Sequence, residues 1–154
     1  LTTEAQKNLE DERIFCSFLA SLLQQLEQLY ASPVSYEEKL AQREKVFQKS
    51  LVRFEGIKTQ LQTDRFTHFE SVTMNNAYLL SIGLYHRHFH LFESVFQENG
   101  SSIKETLSFL RQFSKEGGDI FKRLQDRYRL AGTPRFHVRA PMDMLPSTYL
   151  INLN

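Results

Sequence analysis

The chain has 154 residues, with 19 Lys and Arg against 18 Asp and Glu, and 41% of its residues are hydrophobic. That length supports one core of ordinary size, and the near-zero net charge lacks the basic excess of a phosphate-binding surface, which argues against nucleic acid as a partner. A lone cysteine, Cys16, excludes an internal disulfide framework, and no run approaches the roughly eighteen apolar residues of a transmembrane segment.

Gly and Pro are rare before position 99, and apolar residues recur at steps of three and four, which is the pattern of helices. The sequence starts at Leu1 without an initiator methionine and enters this pattern almost at once, as a mature product or an excised piece would. "TEAQ", residues 3 to 6, has the form of a capping box and opens a helix with the stripe Phe15, Phe18, Leu19, Leu22, Leu26 and Leu29. Within it, Cys16 lies in "RIFCSFLASLL" and reads as a core residue rather than a reactive thiol, because Arg13 is the only basic residue near it in sequence. "SYEE", residues 35 to 38, is a second box, followed by the stripe Leu40, Phe47, Leu51, Phe54 and Leu61. The short "ASPVS" turn between them predicts an antiparallel hairpin.

"TDRFTHFESVT" has weaker periodicity and reads as a connector with a short helical turn. From residue 75 to about 96 the pattern fits one long helix or two joined near His86 to His88, ended by "ENG", where Gly100 suits the left-handed position after a helix. "SIKE", residues 102 to 105, starts a helix through Leu107, Leu110 and Phe113 that closes at "EGG". Asp119 then caps a last helix, "IFKRLQDRYRLAG". The expectation is an all-α fold: a bundle of five to six helices over residues 1–132, with an extended, proline-containing tail over residues 133–154.

Polar groups concentrate in "MNNAYLLSIGLYHRHFHLFE", residues 74 to 93. On a strand, His86, His88 and His90 would face one way and could close a metal site; on a helix, His86 and His90 share a face and His88 swings nearly opposite. His86 and His90 with Glu93 would make a half-site, but without the glutamate of H-E-x-x-H that deprotonates metal-bound water, and no metal ligand is assigned in this chain. His68 and His137 are isolated and read as structural or surface groups. Asn75 or Asn76 either caps a helix start or offers a carboxamide to a peptide backbone or oxyanion. Tyr78 and Tyr85, two turns apart, share a face; Tyr85 either donates to a tetrahedral intermediate or is a core tyrosine with a satisfied hydroxyl. G-x-S-x-G, P-loop, G-x-G-x-x-G and C-x-x-C motifs are absent from the sequence.

The succession "LEQLYAS", "KLAQREKVFQKSL" and "MNNAYLLSIGLYHRHFHLFESVFQENGSSIKETLSFLRQF" resembles the C-terminal half of a family of predicted bacterial zinc aminopeptidases. The likeness covers roughly residues 9 to 114, and its most specific piece is "NNAYL" followed at a fixed distance by Tyr85 and "LFESVF". Family members carry H-E-x-x-H and a further glutamate as zinc ligands, both upstream of the region matched, and this chain contains neither. The resemblance therefore implies a parent enzyme that hydrolyses N-terminal peptide bonds, with zinc bound by an N-terminal catalytic segment and a peptide as substrate. This chain would form one wall of the cleft and be inactive alone. Tyr85 would be an oxyanion donor, and Asn75, Asn76 and His88 would orient substrate. Localisation in the cell envelope or periplasm is a further implication of the likeness. The alternative is a helical protein-interaction module with no chemistry, for which thirteen phenylalanines and no tryptophan supply a well-filled core.

Overall fold

The structure, a computed structural model, describes residues 2–128, and every described regular element is helical. The first helix, α1 (Thr3–Ala31), would span about 43 Å at the usual helical rise. Its N-cap is Thr2, one residue before the position expected, because Thr2 has the extended backbone of a cap and its hydroxyl accepts from the Ala5 N–H. The expected stripe is buried along α1, and at its far end Lys39 donates to the Tyr30 carbonyl at 2.8 Å. The second helix, α2 (Tyr36–Lys58), starts with the full Ser35–Glu38 capping box and returns along α1 as the predicted hairpin.

The core between them is aromatic. Phe18, Phe54 and Phe69 meet with ring centroids 4.9–5.5 Å apart, and Phe15 stacks on Phe66 at 4.1 Å. Phe69 opens the single described 3-10 turn (Phe69–Ser71), the short helical turn expected of the connector. Leu61 lies beyond the end of α2 rather than on its stripe. The reason is the turn at Thr59, after which the chain reverses towards α1.

The long polar-and-apolar run forms two helices, α3 (Asn76–His86) and α4 (Phe89–Glu98), broken at Arg87–His88. Asn75 is the N-cap of α3 and accepts from the Tyr78 N–H at 2.8 Å. Leu79 and Gly83 turn α3 onto α1, where a Cβ at Gly83 would stand 3.4 Å from a Leu23 methyl, at the near limit of ordinary contact. Gly100 adopts the left-handed conformation predicted for it (φ 68°).

The last two helices, α5 (Ile103–Ser114) and α6 (Ile120–Arg127), build a second, smaller core with α4. Leu91, Val95, Phe113, Leu124 and Tyr128 form it. Ser102 caps α5 through the Glu105 N–H, but its own N–H goes to the Asn99 carbonyl instead of returning to Glu105. Leu107 is 61% exposed, whereas Phe109, Leu110 and Phe113 are the residues of α5 that pack into this core. Asp119 caps α6 as expected. Residues 129–132 of the predicted last helix and the predicted tail lie outside the described residues.

Between the end of α2 and the connector, one side chain fixes the path. Asp11 of α1 is fully buried, and its carboxylate accepts from the Gln62 N–H (2.8 Å), the Thr63 N–H (2.8 Å) and the Thr63 hydroxyl (2.6 Å). Replacing Asp11 by Ala leaves two backbone donors without an acceptor, and is expected to cost about 3 kcal/mol; Thr63→Val removes one bond only and is expected to cost about 1 kcal/mol. Urea unfolding of the two variants beside the parent chain measures both, and equal small losses would show that Asp11 does not anchor the turn.

Candidate functional site

Next to Asp11 on α1 stands Glu12, and four residues on is Cys16, so both share the inward stripe with Leu19 and Leu23. Asp11 draws in residues 62 and 63, and the chain that follows lays Arg65 and Phe66 against α1. From the other side α3 brings His86 at its last turn. His86 Nδ1 and Glu12 Oε1 are 2.6 Å apart, and Arg65 reaches Glu12 Oε2 at 3.0 Å. The Cys16 sulfur lies 3.7 Å from Glu12 Oε1 and 3.9 Å from His86 Nδ1.

The electrostatics follow from this packing. Burial pushes the Glu12 carboxyl up, but the His86 hydrogen bond and the Arg65 charge outweigh it and hold the group below the usual carboxylate range. A carboxylate can only accept, so His86 Nδ1 carries a hydrogen and Nε2 is the ring's remaining polar atom. Burial first, and then the charge of Glu12, push the Cys16 thiol far up, which keeps it protonated and inert. Cys16 is 2% exposed, as a core residue should be.

Beside the cluster is an open pocket of about 210 Å³. Phe15 forms its floor, the 65–72 segment contributes Arg65, Phe66, His68, Phe69 and Val72, and α3 contributes Tyr78, Ile82 and His86. The rings of Phe15 and Phe66 meet His86 edge-on at 5.4 and 5.8 Å. His68, isolated in sequence, is thus part of a wall.

The residues singled out in sequence separate in space. Asn75 caps α3, and the Asn76 carboxamide oxygen accepts from the Tyr30 hydroxyl at 2.9 Å, tying α3 to the end of α1. Tyr78 packs on Phe69 in the pocket wall, whereas Tyr85 is 84% exposed and makes no hydrogen bond to the described residues. That exposure removes the reading of Tyr85 as a core tyrosine. His88 stacks on Phe121 of α6 at 4.8 Å, and its burial there, with Arg87 beside it, moves its pKa down. His90 contacts Ser17 at 3.1 Å and Glu93 at 3.6 Å, and Glu93 takes Arg13 at 2.5 Å. His86 at the end of α3 and His90 in α4 both face α1, but the break at Arg87–His88 puts them on different helices and they meet different partners there.

Glu12 was not among the residues the sequence pattern picked out. Its signal is an acidic residue four before Cys16 and seven before Leu19, in a stripe otherwise apolar.

Glu12, Cys16 and His86 form the group of metal-ligating atoms found among the described residues, all within 4.8 Å of one another. They do not fit the zinc of an H-E-x-x-H peptidase. Two donors on one tetrahedral zinc stand about 3.3 Å apart when bonds are about 2.0–2.1 Å, whereas Nδ1 and Oε1 are engaged with each other at hydrogen-bond distance. The donor set is also one imidazole, one carboxylate and a protonated thiol, not two imidazoles and a carboxylate.

The sequence model of the family described as "Putative aminopeptidase" matches residues 2–124. The chain belongs to this family. The match takes in α1 to α5 and most of α6, extending on both sides beyond the resemblance read from sequence. No curated protein and no solved structure gives a match. Among the described residues no helix is long and apolar enough to cross a membrane.

The Glu12 shift has a consequence for stability. A carboxyl held low in the folded state stabilises the fold above its unfolded pKa of about 4.3, and that contribution is lost as pH falls through the lower folded value. Glu12→Gln is therefore expected to be less stable than the parent chain at pH 7, with the gap closing below about pH 4.3. Urea unfolding at a series of pH values reads this directly, and a gap independent of pH would contradict it.

Proposed function

We propose that this chain is the C-terminal helical portion of a zinc-dependent aminopeptidase that hydrolyses N-terminal peptide bonds, and that it forms one wall of the substrate cleft. Membership of the family supports the peptidase class. The observation that carries the cleft-wall role is the state of α3. It is apolar on both sides: Leu79 and Gly83 pack on α1, while Leu80, Leu84 and Tyr85 on the other side are 59%, 76% and 84% exposed. A helix apolar all round is ordinarily covered on both faces. In this reading the catalytic segment covers the outer face of α3, and its zinc is bound by residues outside this chain.

Of the polar groups on this face, Ser81 donates to the Tyr78 carbonyl, and Tyr85, next in sequence to His86 in the pocket wall, has its hydroxyl uncommitted among the described residues. That hydroxyl can donate to the oxygen that gains charge as the peptide carbonyl is attacked. Asn75 and Asn76 orient substrate less directly, by fixing the start of α3. His88 is turned to Phe121, so its contribution is to hold α3 and α4 against α6. The partners are a peptide substrate and the upstream catalytic segment, and the cell envelope or periplasm is the proposed site of action.

The test compares this chain with the longer zinc-loaded protein on aminoacyl p-nitroanilides. The longer protein is expected to hold one equivalent of zinc and lose hydrolysis on chelation, while the 154-residue chain alone is inactive. Tyr85→Phe in the longer protein is expected to lower kcat about 10²–10³-fold, as for a lost oxyanion donor. Hydrolysis that survives complete removal of zinc would refute the reading.

A further inference from the structure

Resting on the aminopeptidase reading, the geometry points to a substrate contact in this chain: His86 Nε2 hydrogen-bonds the peptide backbone, while the adjoining pocket receives one uncharged, apolar side chain of that peptide. Glu12 acts as the positioning residue.

Four observations carry it. First, His86 is held from one side only. Nδ1 is fixed by Glu12, whereas Nε2 has no hydrogen-bond partner among the described residues and is not sealed from solvent. The ring forms part of the pocket wall, and in the proposed contact its remaining polar atom meets a ligand held there. Second, the ring cannot easily turn. Phe15 and Phe66 press on it edge-on, and Glu12 is itself fixed by Arg65, so the imidazole is held in one orientation before any ligand arrives. Third, the pocket selects by polarity. Phe15, Phe66, Phe69, Val72 and Ile82 give it an apolar lining, and Arg65, the cation at its edge, is already paired with Glu12 and lies over the Phe66 ring at 5.2 Å. A carboxylate side chain would meet that apolar lining, with the Arg65 charge offset by Glu12 through one guanidinium nitrogen. Fourth, about 210 Å³ is below the range of sites for drug-sized ligands and matches a single side chain, with the rest of the peptide left outside.

The other polar clusters do not combine these features. His90, Ser17, Glu93 and Arg13 satisfy one another across α1 and α4, and His88 is stacked on Phe121.

The first measurement is nitrogen NMR of the 154-residue chain labelled with 15N-histidine, titrated with the dipeptide amide Ala-Phe-NH2 and separately with Ala-Glu-NH2. Assignment comes from the spectrum of His86→Asn. The expected result is a saturable shift of the His86 Nε2 resonance with Ala-Phe-NH2, no matching shift at His90, and none at His86 with Ala-Glu-NH2. No saturable shift at His86, or equal shifts with both peptides, would overturn the proposal.

The second readout separates contact from packing. An asparagine amide reaches the position of Nδ1 and still pairs with Glu12, whereas a glutamine amide reaches that of Nε2. In the zinc-loaded enzyme, His86→Asn is expected to keep its melting temperature while kcat/KM falls about tenfold, as for a lost hydrogen bond to the bound peptide, and His86→Gln to recover most of that loss. Glu12→Gln is expected to raise KM more than it changes kcat, the mark of a contact made to the bound peptide in ground and transition states alike. If His86→Asn hydrolyses within about threefold of the parent enzyme, the assignment fails. A parent enzyme without zinc-dependent hydrolysis defeats the aminopeptidase reading alone, and the peptide titration then decides the pocket by itself.

Discussion

Burying a carboxylate costs several kcal/mol unless hydrogen bonds or charges replace its water, and α1 buries two in succession. Asp11 and Glu12 are one residue apart, so the helix aims them about 100° apart, at different neighbours. Asp11 collects the backbone after α2; Glu12 collects the end of α3 and the guanidinium of Arg65. These polar contacts have narrow geometry where phenylalanine packing tolerates rearrangement, so they set the register of the connector and of α3 against α1. The aromatic core supplies the bulk of the burial, and the two carboxylates decide which arrangement of it forms.

The same constraint explains why the pocket lies where it does. Once residues 62 and 63 are pinned to Asp11, Phe66 must descend onto Phe15, and the segment to residue 72 crosses the groove between α1 and α3. An open pocket is left there, with His86 in its wall. Family membership supports a peptidase role, and the Glu12, Cys16 and His86 donors do not fit a peptidase zinc; in the proposed reading the metal is bound outside this chain. What the chain contributes on this view is orientation and selectivity rather than the attacking water.

Much of the fold was legible in the sequence, because capping chemistry and helical periodicity are local. The Ser35 box, the Asn75, Ser102 and Asp119 caps, Gly100 and the break near residues 86 to 88 all act within a few positions of themselves. The misreadings have local causes too: a second threonine beside Thr3, a turn at Thr59 that strands Leu61, and a choice between Leu107 and Phe109 that only the position of α6 decides. The site was much less legible. Glu12 and His86 are 74 positions apart, and neither has a neighbour in sequence that announces the other. The asparagines drew attention for their chemistry, and in the structure Asn75 caps a helix while Asn76 ties it to Tyr30. Tyr78 and Tyr85 share a face by periodicity, yet only Tyr78 lies under the connector.

The division of the interior into two clusters bears on how the chain moves. Eleven buried residues make up the first and five the second, and α1 belongs wholly to the first. Polar contacts that fasten the α4–α6 unit to α1 include Arg13–Glu93 and Ser17–His90, both partly open to water, and at the break Arg87 reaches Glu27 of α1 at 3.6 Å. Sub-global opening of the α4–α6 unit costs less than unfolding of the α1–α3 unit. Because the hinge at Arg87–His88 immediately follows His86, such an opening would swing the smaller unit about a point beside the pocket while Glu12 keeps its hold on the imidazole. The fold thereby separates a part that can yield to an incoming chain from a part that must hold its geometry.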